Sequence, residues 1–337
     1  MHPPGPYMLA PMAELSHRAL RELIERFIPR RTPGETGPEY YSEMISAPAL
    51  LSGGPFETWY LDGGPCPGRL VYQLLGAHDS SLAAAAALLD RRDCLGIDVN
   101  MGCAAPAITR TGAGVRLMND IDKAGRIIAA LRRVTKKRLS AKLRLGPSPD
   151  RQRPYSADPG TKAPGDGFEY LLKFCRRLES QGADLIILHP RFAGEKLKRR
   201  ARWNYVEALR KELSIPIAGN GDIDGPGVME ERARKGPVMI GRLAVKEPWI
   251  FGRIHDRPLQ RDRNFLEETA LVFLDLLTLY QPPEFHLSRA RRFFRYYCDN
   301  FTWAEYVRNK INREETLEGM GRVIREYCKR IPEEKAL

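Results

Sequence analysis

Eight short apolar or β-branched runs recur along the chain, at about residues 7–11, 39–43, 70–75, 95–99, 139–143, 184–188, 215–219 and 237–241. Amphipathic helical patterns separate most of them, among them His17–Phe27, Ser80–Leu89, Asp120–Val134, Phe168–Gln181, Trp203–Leu213 and Val228–Arg234. This alternation narrows the fold more than any other feature. Strands that alternate with helices pair in parallel, and eight such units close the sheet on itself. The predicted class is α/β, a (β/α)8 TIM barrel. Two segments break the rhythm. Ser52–Gly68, rich in Gly and Pro, predicts a loop or small hairpin after the second strand. Gly146–Gly167, with five prolines, predicts a long excursion after the fifth, and loops that long are more often functional than idle. Strand signals stop after Pro248-Trp249-Ile250-Phe251. From about Asn264 to Lys329 the pattern is helical, interrupted at Pro282-Pro283, and long enough for a four-helix bundle with its own core. The expected division is a barrel over residues 1–256 and an all-helical domain over 257–337.

Composition excludes several classes. The 337 residues are 43% hydrophobic and 28% charged, ordinary for a soluble globular protein. No apolar run approaches the roughly 18 residues of a membrane span. Met1-His2-Pro3-Pro4-Gly5-Pro6 lacks the basic and apolar regions of a signal peptide. Six scattered cysteines without a CxxC pair argue against a zinc site or a disulfide framework and for reduced thiols in the cytoplasm.

The net charge of +12 is unevenly placed. Nine basic residues from Lys123 to Arg144 run without an acid, and six lie between Arg191 and Arg202 with only Glu195. Arg289, Arg291, Arg292 and Arg295 interleave with Phe293, Phe294, Tyr296 and Tyr297. Residues 262–337 as a whole balance, with 13 basic and 13 acidic side chains. Each patch alone also reads as a solvated helix face. The three together fit an RNA backbone better than diffuse surface charge.

In such barrels the chemistry sits at the carboxyl ends of the strands. The ends here read Ala10-Pro11-Met12, Glu43-Met44, Gln73, Asn100 to Cys103, Lys142 with Arg144, His189-Pro190-Arg191, Gly219 to Asp222, and Gly241-Arg242. Singly, each has a bland explanation: a hydrogen-bonded Gln, a structural His, a small core Cys. Jointly they predict a site. Gln73 and Lys142 interrupt apolar strands, and an unpartnered buried ammonium is expensive, so Lys142 is expected to face an anion or an electron-rich ligand. Gly219, Gly221 and Gly241 would let backbone N–H groups approach phosphate oxygens, with Arg242 adding charge. Two such turns, after strands 7 and 8, favour a phosphorylated cofactor over simple tight turns.

These segments resemble the tRNA-dihydrouridine synthase family. The matching stretches are Leu9–Ala13, Tyr41–Ser46, Tyr72–Gly76, Gly96–Cys103, Ala141–Gly146, Gly182–His189, Ile217–Ile223 and Val238–Arg242, ending at Pro248-Trp249. They occur in family order and cover about residues 7–252. The helical tail fits the family's tRNA-binding domain by position and type. The resemblance implies an FMN enzyme that reduces uridine in tRNA with NADPH. It implies that Pro11, Met12, Gln73, Lys142, His189, Asn220, Gly221, Asp222, Gly241 and Arg242 line the FMN site. Lys142 would lie near the electron-rich edge of the flavin. Asn100, Arg144 and Arg191 would surround the uracil, with Cys103 as the proton donor, and Arg292 and Arg295 would contact tRNA. No metal is implied, and a monomer is expected.

The chemistry agrees with the residue types. Reducing the uracil C5–C6 bond needs a hydride at C6, which no side chain supplies, and a proton at C5. A free thiol, with an ordinary pKa of about 8.5, is mostly protonated at neutral pH and serves as an acid without unusual tuning. Three positions depart from the family pattern: Ala104 where Pro is usual, Ala107 where a basic residue is common, and Pro190 in place of the Gly between His and Arg. Two other functions share part of the pattern. An FMN barrel acting on a free pyrimidine leaves the basic patches and the tail unexplained. A non-catalytic RNA-binding barrel does not require Gln73, Asn100, Cys103 and Lys142 to meet at one mouth.

Overall fold

The computed structural model describes residues 3–29, 37–146, 167–195, 199–252 and 262–330. Eight parallel strands form one closed barrel in sequence order: β1 (Tyr7–Leu9), β2 (Glu39–Ser46), β3 (Leu70–Leu75), β4 (Gly96–Met101), β5 (Arg138–Leu143), β6 (Leu185–Leu188), β7 (Ile217–Asn220) and β8 (Val238–Ile240). β8 pairs with β1, with Met239 beside Met8, which closes the ring. Around it run α1 (Arg18–Glu25), α2 (Ala47–Leu51), α3 (Glu57–Tyr60), α4 (Asp79–Asp90), α5 (Pro106–Thr109), α6 (Ile121–Val134), α7 (Phe168–Ser180), α8 (Trp203–Glu212), α9 (Pro226–Ala233) and α10 (Arg242–Lys246). Ser52–Gly68 contains α3 and no strand, so the hairpin alternative does not form. The excursion expected over 146–167 and the domain boundary near residue 256 fall on 147–166 and 253–261, outside the described residues.

Alternate residues of each strand point inward. Met8, Ala10, Tyr41, Val71, Leu185, Ile187, Ala218 and Met239 make a small interior core. A larger core lies between the barrel and its helices. The interior is not uniformly apolar. Arg138 Nη1 and Nη2 grip Glu39 Oε1 and Oε2 at 2.9 and 2.5 Å, both side chains buried. This bidentate pair joins the amino ends of β2 and β5, opposite the carboxyl ends of the strands.

Among the described residues four α-helices follow the barrel: α11 (Arg263–Tyr280), α12 (His286–Tyr297), α13 (Ala304–Arg313) and α14 (Leu317–Arg330). The Asp262 side chain caps α11 by accepting from Phe265 N–H at 3.0 Å. The bundle core is aromatic, with Phe293 stacked on Phe273 at 3.7 Å and on Tyr297 at 4.9 Å between centroids. Trp249 of the barrel packs edge-on against Phe265 and Tyr297. The basic–aromatic cluster of 289–297 therefore resolves differently from the sequence reading. Phe293, Phe294 and Tyr297 are core residues with no face free for RNA, and Arg289 is buried against Glu43 at 3.2 Å. On α12, Ser288 and Arg295 are exposed and Arg291 and Arg292 are half-buried, Arg291 donating to Glu314 O at 2.9 Å. The patch ending at Arg144 is also partly structural: Arg132 bonds Asp184 and the carbonyls of Thr135 and Lys137, and Arg138 is inside the barrel.

Candidate active site

The carboxyl ends of the strands surround a cavity of about 310 Å³. Ala10, Pro11 and Met12 enter it after β1, Lys142 from β5, His189 and Arg191 after β6, Asn220 to Asp222 from β7, and Met239, Gly241 and Arg242 from β8. Arg292 and Tyr296 of α12 complete the wall, so the helical domain contributes directly to the cavity.

Lys142 is the cation at its base. Its Nζ donates to Asn220 Oδ1 at 3.1 Å, and Asn220 Nδ2 is fixed in turn by Met239 O at 2.7 Å. Burial, reinforced by the neighbouring Arg144, lowers the Lys142 ammonium to about 8. Among the described residues its one hydrogen-bond partner is Asn220, an amide and not a carboxylate, which leaves N–H groups to turn toward a ligand.

Beside Lys142 a chain of directional hydrogen bonds runs to the cysteine loop. Ser140 Oγ donates to Asp98 Oδ1 at 2.6 Å, and Gln73 Nε2 donates to Asp98 Oδ2 at 2.7 Å. Asn100 Nδ2 donates to Gln73 Oε1 at 2.8 Å. Asn100 Oδ1 then accepts Gly102 N–H at 3.2 Å and Cys103 N–H at 2.9 Å. A carboxylate can only accept, so Asp98 sets the orientation of both amides. Strand register makes this possible, because Gln73 lies beside Asp98, Asp98 beside Ser140, and Asn100 beside Lys142. Burial pushes the Asp98 carboxyl up to about 6, against the pull of the Ser140 and Gln73 hydrogen bonds. Arg144 Nε holds the same loop from the other side, donating to Gly102 O at 2.9 Å. Gly114 closes it. At φ +62° it adopts a backbone that favours glycine, and a Cβ there would sit 2.5 Å from Cys103 O. Val115 N–H meets that carbonyl at 2.9 Å.

A second cluster lies between β6 and β7. Arg191, 1% exposed, donates through Nη2 to Asp222 Oδ1 and through Nη1 to His189 Nε2 at 2.7 Å. A guanidinium has no acceptor, so His189 Nε2 accepts and the imidazole proton sits on Nδ1. Burial, then the cations Lys142, Arg144, Arg191 and Arg242, hold His189 far below the ordinary imidazole range, so it is neutral. Asp222 itself has φ 51°, a strained backbone for a non-glycine residue. Gly221, at φ +114°, packs where a Cβ would strike the His189 ring at 2.8 Å.

The dihydrouridine synthase model matches residues 8–331, nearly the whole chain. The chain belongs to the dihydrouridine synthase family. A probable tRNA-dihydrouridine synthase of Aquifex aeolicus is 28% identical, over 75% of this chain and 73% of that one. The tRNA-dihydrouridine synthase B of Xanthomonas campestris is 26% identical, over 96% of this chain and 94% of its own. Among solved structures, a 2-naphthoyl-CoA reductase superposes with a TM-score of 0.50 at 13% identity, over 75% of this chain and half of that one, a likeness of fold alone.

For this family member, most of the residues expected at the cofactor and uracil sites converge. Pro11, Met12, Lys142, His189, Asn220, Gly221, Asp222, Gly241 and Arg242 line the cavity, as does Arg292. Asn100, Cys103 and Arg144 form the loop next to Lys142. Gln73 is fully buried with both amide atoms engaged in the Asp98–Asn100 chain. Arg191 also lines the cavity, with its guanidinium buried and bonded to His189 and Asp222. Arg295 is exposed on α12, away from the cavity wall. Gly219, read as a phosphate contact, has another role. Its N–H bonds Pro237 O at 3.0 Å, and a Cβ there would lie 2.2 Å from the Trp203 ring. Sequence reasoning gave no site role to Asp98 or Ser140, and placed Tyr296 only in the basic–aromatic cluster. The first two carried a signal: they sit two residues before Asn100 and Lys142, the spacing of one strand face. Among the described residues no three His, Cys, Asp or Glu side chains gather to hold a metal, and no helix is long and apolar enough to cross a membrane.

Proposed function

We propose that this dihydrouridine synthase reduces the C5–C6 double bond of uridine in tRNA, with FMN in the cavity, NADPH as the reductant and Cys103 as the acid. The observation that carries this reading is the convergence of Lys142, His189 and Arg242 on one cavity beside the Cys103 loop. The donor set suits FMN. Lys142 has free N–H groups for the electron-rich edge of a flavin, Met12 and Met239 offer apolar surface, and Arg242 with the neutral, Nδ1-protonated His189 offers donors to a phosphate. Bound FMN, once reduced by NADPH, supplies the hydride for uracil C6.

The chain's own residues do the rest. Cys103 holds the proton destined for C5 on a thiol that is partly exposed. Asn100 fixes the backbone at residues 102 and 103, so the thiol is presented from a rigid loop. Such a positioned acid contributes on the order of 10²–10⁴-fold. The uridine must leave its stack to reach the mouth, which takes a few kcal/mol. Arg292 on the rim and further contacts along the helical domain would offset that. Ala104 and Ala107 leave the outer part of the loop without the rigidity and charge usual in the family. The reading includes a monomer acting in the cytoplasm.

Purified protein should be yellow and should release FMN on denaturation. A strain lacking the gene should lose dihydrouridine at defined tRNA positions. Colourless protein that cannot be reconstituted with FMN, or unchanged tRNA in a strain without a redundant relative, contradicts the proposal.

A further inference from the structure

Trp303 is the outlier among the four tryptophans. Trp203 and Trp249 are buried and Trp59 is partly buried, yet Trp303 is 61% exposed at the start of α13. One turn on, Tyr306 is 49% exposed. The inward side of the same helix is occupied by Val307 and Ile311, both fully buried in the bundle. Trp303, Tyr306, Lys310 and Arg313 therefore share the outward stripe at helical spacing, roughly 15 Å long at 1.5 Å per residue. Lys310 Nζ lies 5.8 Å from the Tyr306 ring centroid, close enough for a cation–π contact. Of the nearby acids, Asp299 and Glu305 share one cation, Arg308, and Glu315 is exposed just beyond Arg313. Along the stripe itself two exposed aromatic rings are followed by two exposed cations.

We propose that this stripe of α13 is a stacking platform for unpaired bases of the tRNA, with Lys310 and Arg313 taking the adjoining phosphates. The proposal rests on the tRNA reading above and adds a contact surface that the cavity and Arg292 do not provide. Aromatic faces accept any base by stacking, while the cations bind the backbone. A protein partner fits less well, because two isolated rings flanked by cations lack the broad apolar centre of such interfaces.

The test is titration of the FMN-bound protein with unmodified tRNA transcript, following both tryptophan fluorescence and affinity. The wild type should show fluorescence quenching that Trp303→Phe largely removes while keeping affinity within a few-fold. Trp303→Ala/Tyr306→Ala should weaken binding by tenfold or more, on the scale of one or two lost stacks, with the salt slope unchanged. Lys310→Ala/Arg313→Ala should lower that slope by about two. Equal quenching and equal affinity in all variants, with tRNA still bound by the wild type, overturn the platform. A double-alanine variant that changes sedimentation rather than tRNA affinity assigns the stripe to self-contact and also overturns it. A wild type that binds no tRNA instead refutes the parent reading.

Discussion

A single buried carboxylate, Asp98, fixes how the Cys103 loop is presented. Its two oxygens accept from Ser140 and Gln73, and the amides pass that direction on to Asn100 and Cys103 N–H. Asp98→Leu leaves buried amide groups unmatched, an effect of about 1–3 kcal/mol. It should lower turnover by at least about tenfold as the loop loses its anchor. Asp98→Asn keeps one acceptor for Gln73, and its Nδ2 can donate to Ser140 Oγ, so it should retain most activity. Single-turnover rates alongside thermal unfolding separate these outcomes, and equal rates in both variants would remove Asp98 from the positioning chain. Gly114→Ala tests the same loop from its other end. With a Cβ 2.5 Å from Cys103 O at a φ of +62°, it should destabilise by more than about 1 kcal/mol, read by denaturant unfolding, and slow turnover. At this scale the sequence was partly legible. Polar residues interrupting strands marked Gln73, Asn100 and Lys142. Nothing local showed that Gln73 would be consumed by Asp98, or that Arg191 would turn to Asp222 and His189. Asp98 and Asp222 belong to other strand ends than Gln73 and Arg191 and reach them only when the barrel closes.

At the scale of elements, α12 joins the two parts of the molecule. Arg289, Arg292 and Tyr296 share one stripe. Arg289 meets Glu43 at the end of β2, and the other two reach the cavity wall. The Arg289–Glu43 pair is 3% and 6% exposed, and Glu43 also accepts Glu14 N–H at 2.6 Å. Arg289→Ala strands a buried carboxylate and should lower stability by about 3–5 kcal/mol. Arg292 meets Glu14 at 3.7 Å with both side chains more than a third exposed, so Arg292→Ala should change stability by less than about 1 kcal/mol. Urea denaturation of both variants checks this, and similar losses would show that Arg289 is not a clasp. The strands and helices were readable because period-2 and period-3.6 patterns are local. Charge runs were not, since a cation's partner, such as Glu43 for Arg289 or Glu39 for Arg138, is far away in the chain.

At the scale of the whole molecule, the cavity couples charge to ligand. Lys142, lowered to about 8 by burial, is protonated below that pH and loses its charge above it. An electron-rich ligand prefers the charged form, so FMN affinity should be flat at lower pH and fall as pH rises through about 8. Lys142→Met should bind FMN more weakly and without that step. Flavin fluorescence titration across pH measures both, and a wild-type profile matching Lys142→Met would place Lys142 away from the flavin.

The most direct test follows one reduction event. Protein with pre-reduced FMN is mixed with an excess of unmodified tRNA without oxygen, and flavin oxidation is timed while dihydrouridine is counted by mass spectrometry. Wild type should form about one dihydrouridine per flavin oxidised. Cys103→Ala should bind FMN and tRNA normally yet react more slowly by on the order of 10²-fold or more. An undiminished rate in Cys103→Ala, or flavin oxidation without dihydrouridine in the wild type, would contradict the account.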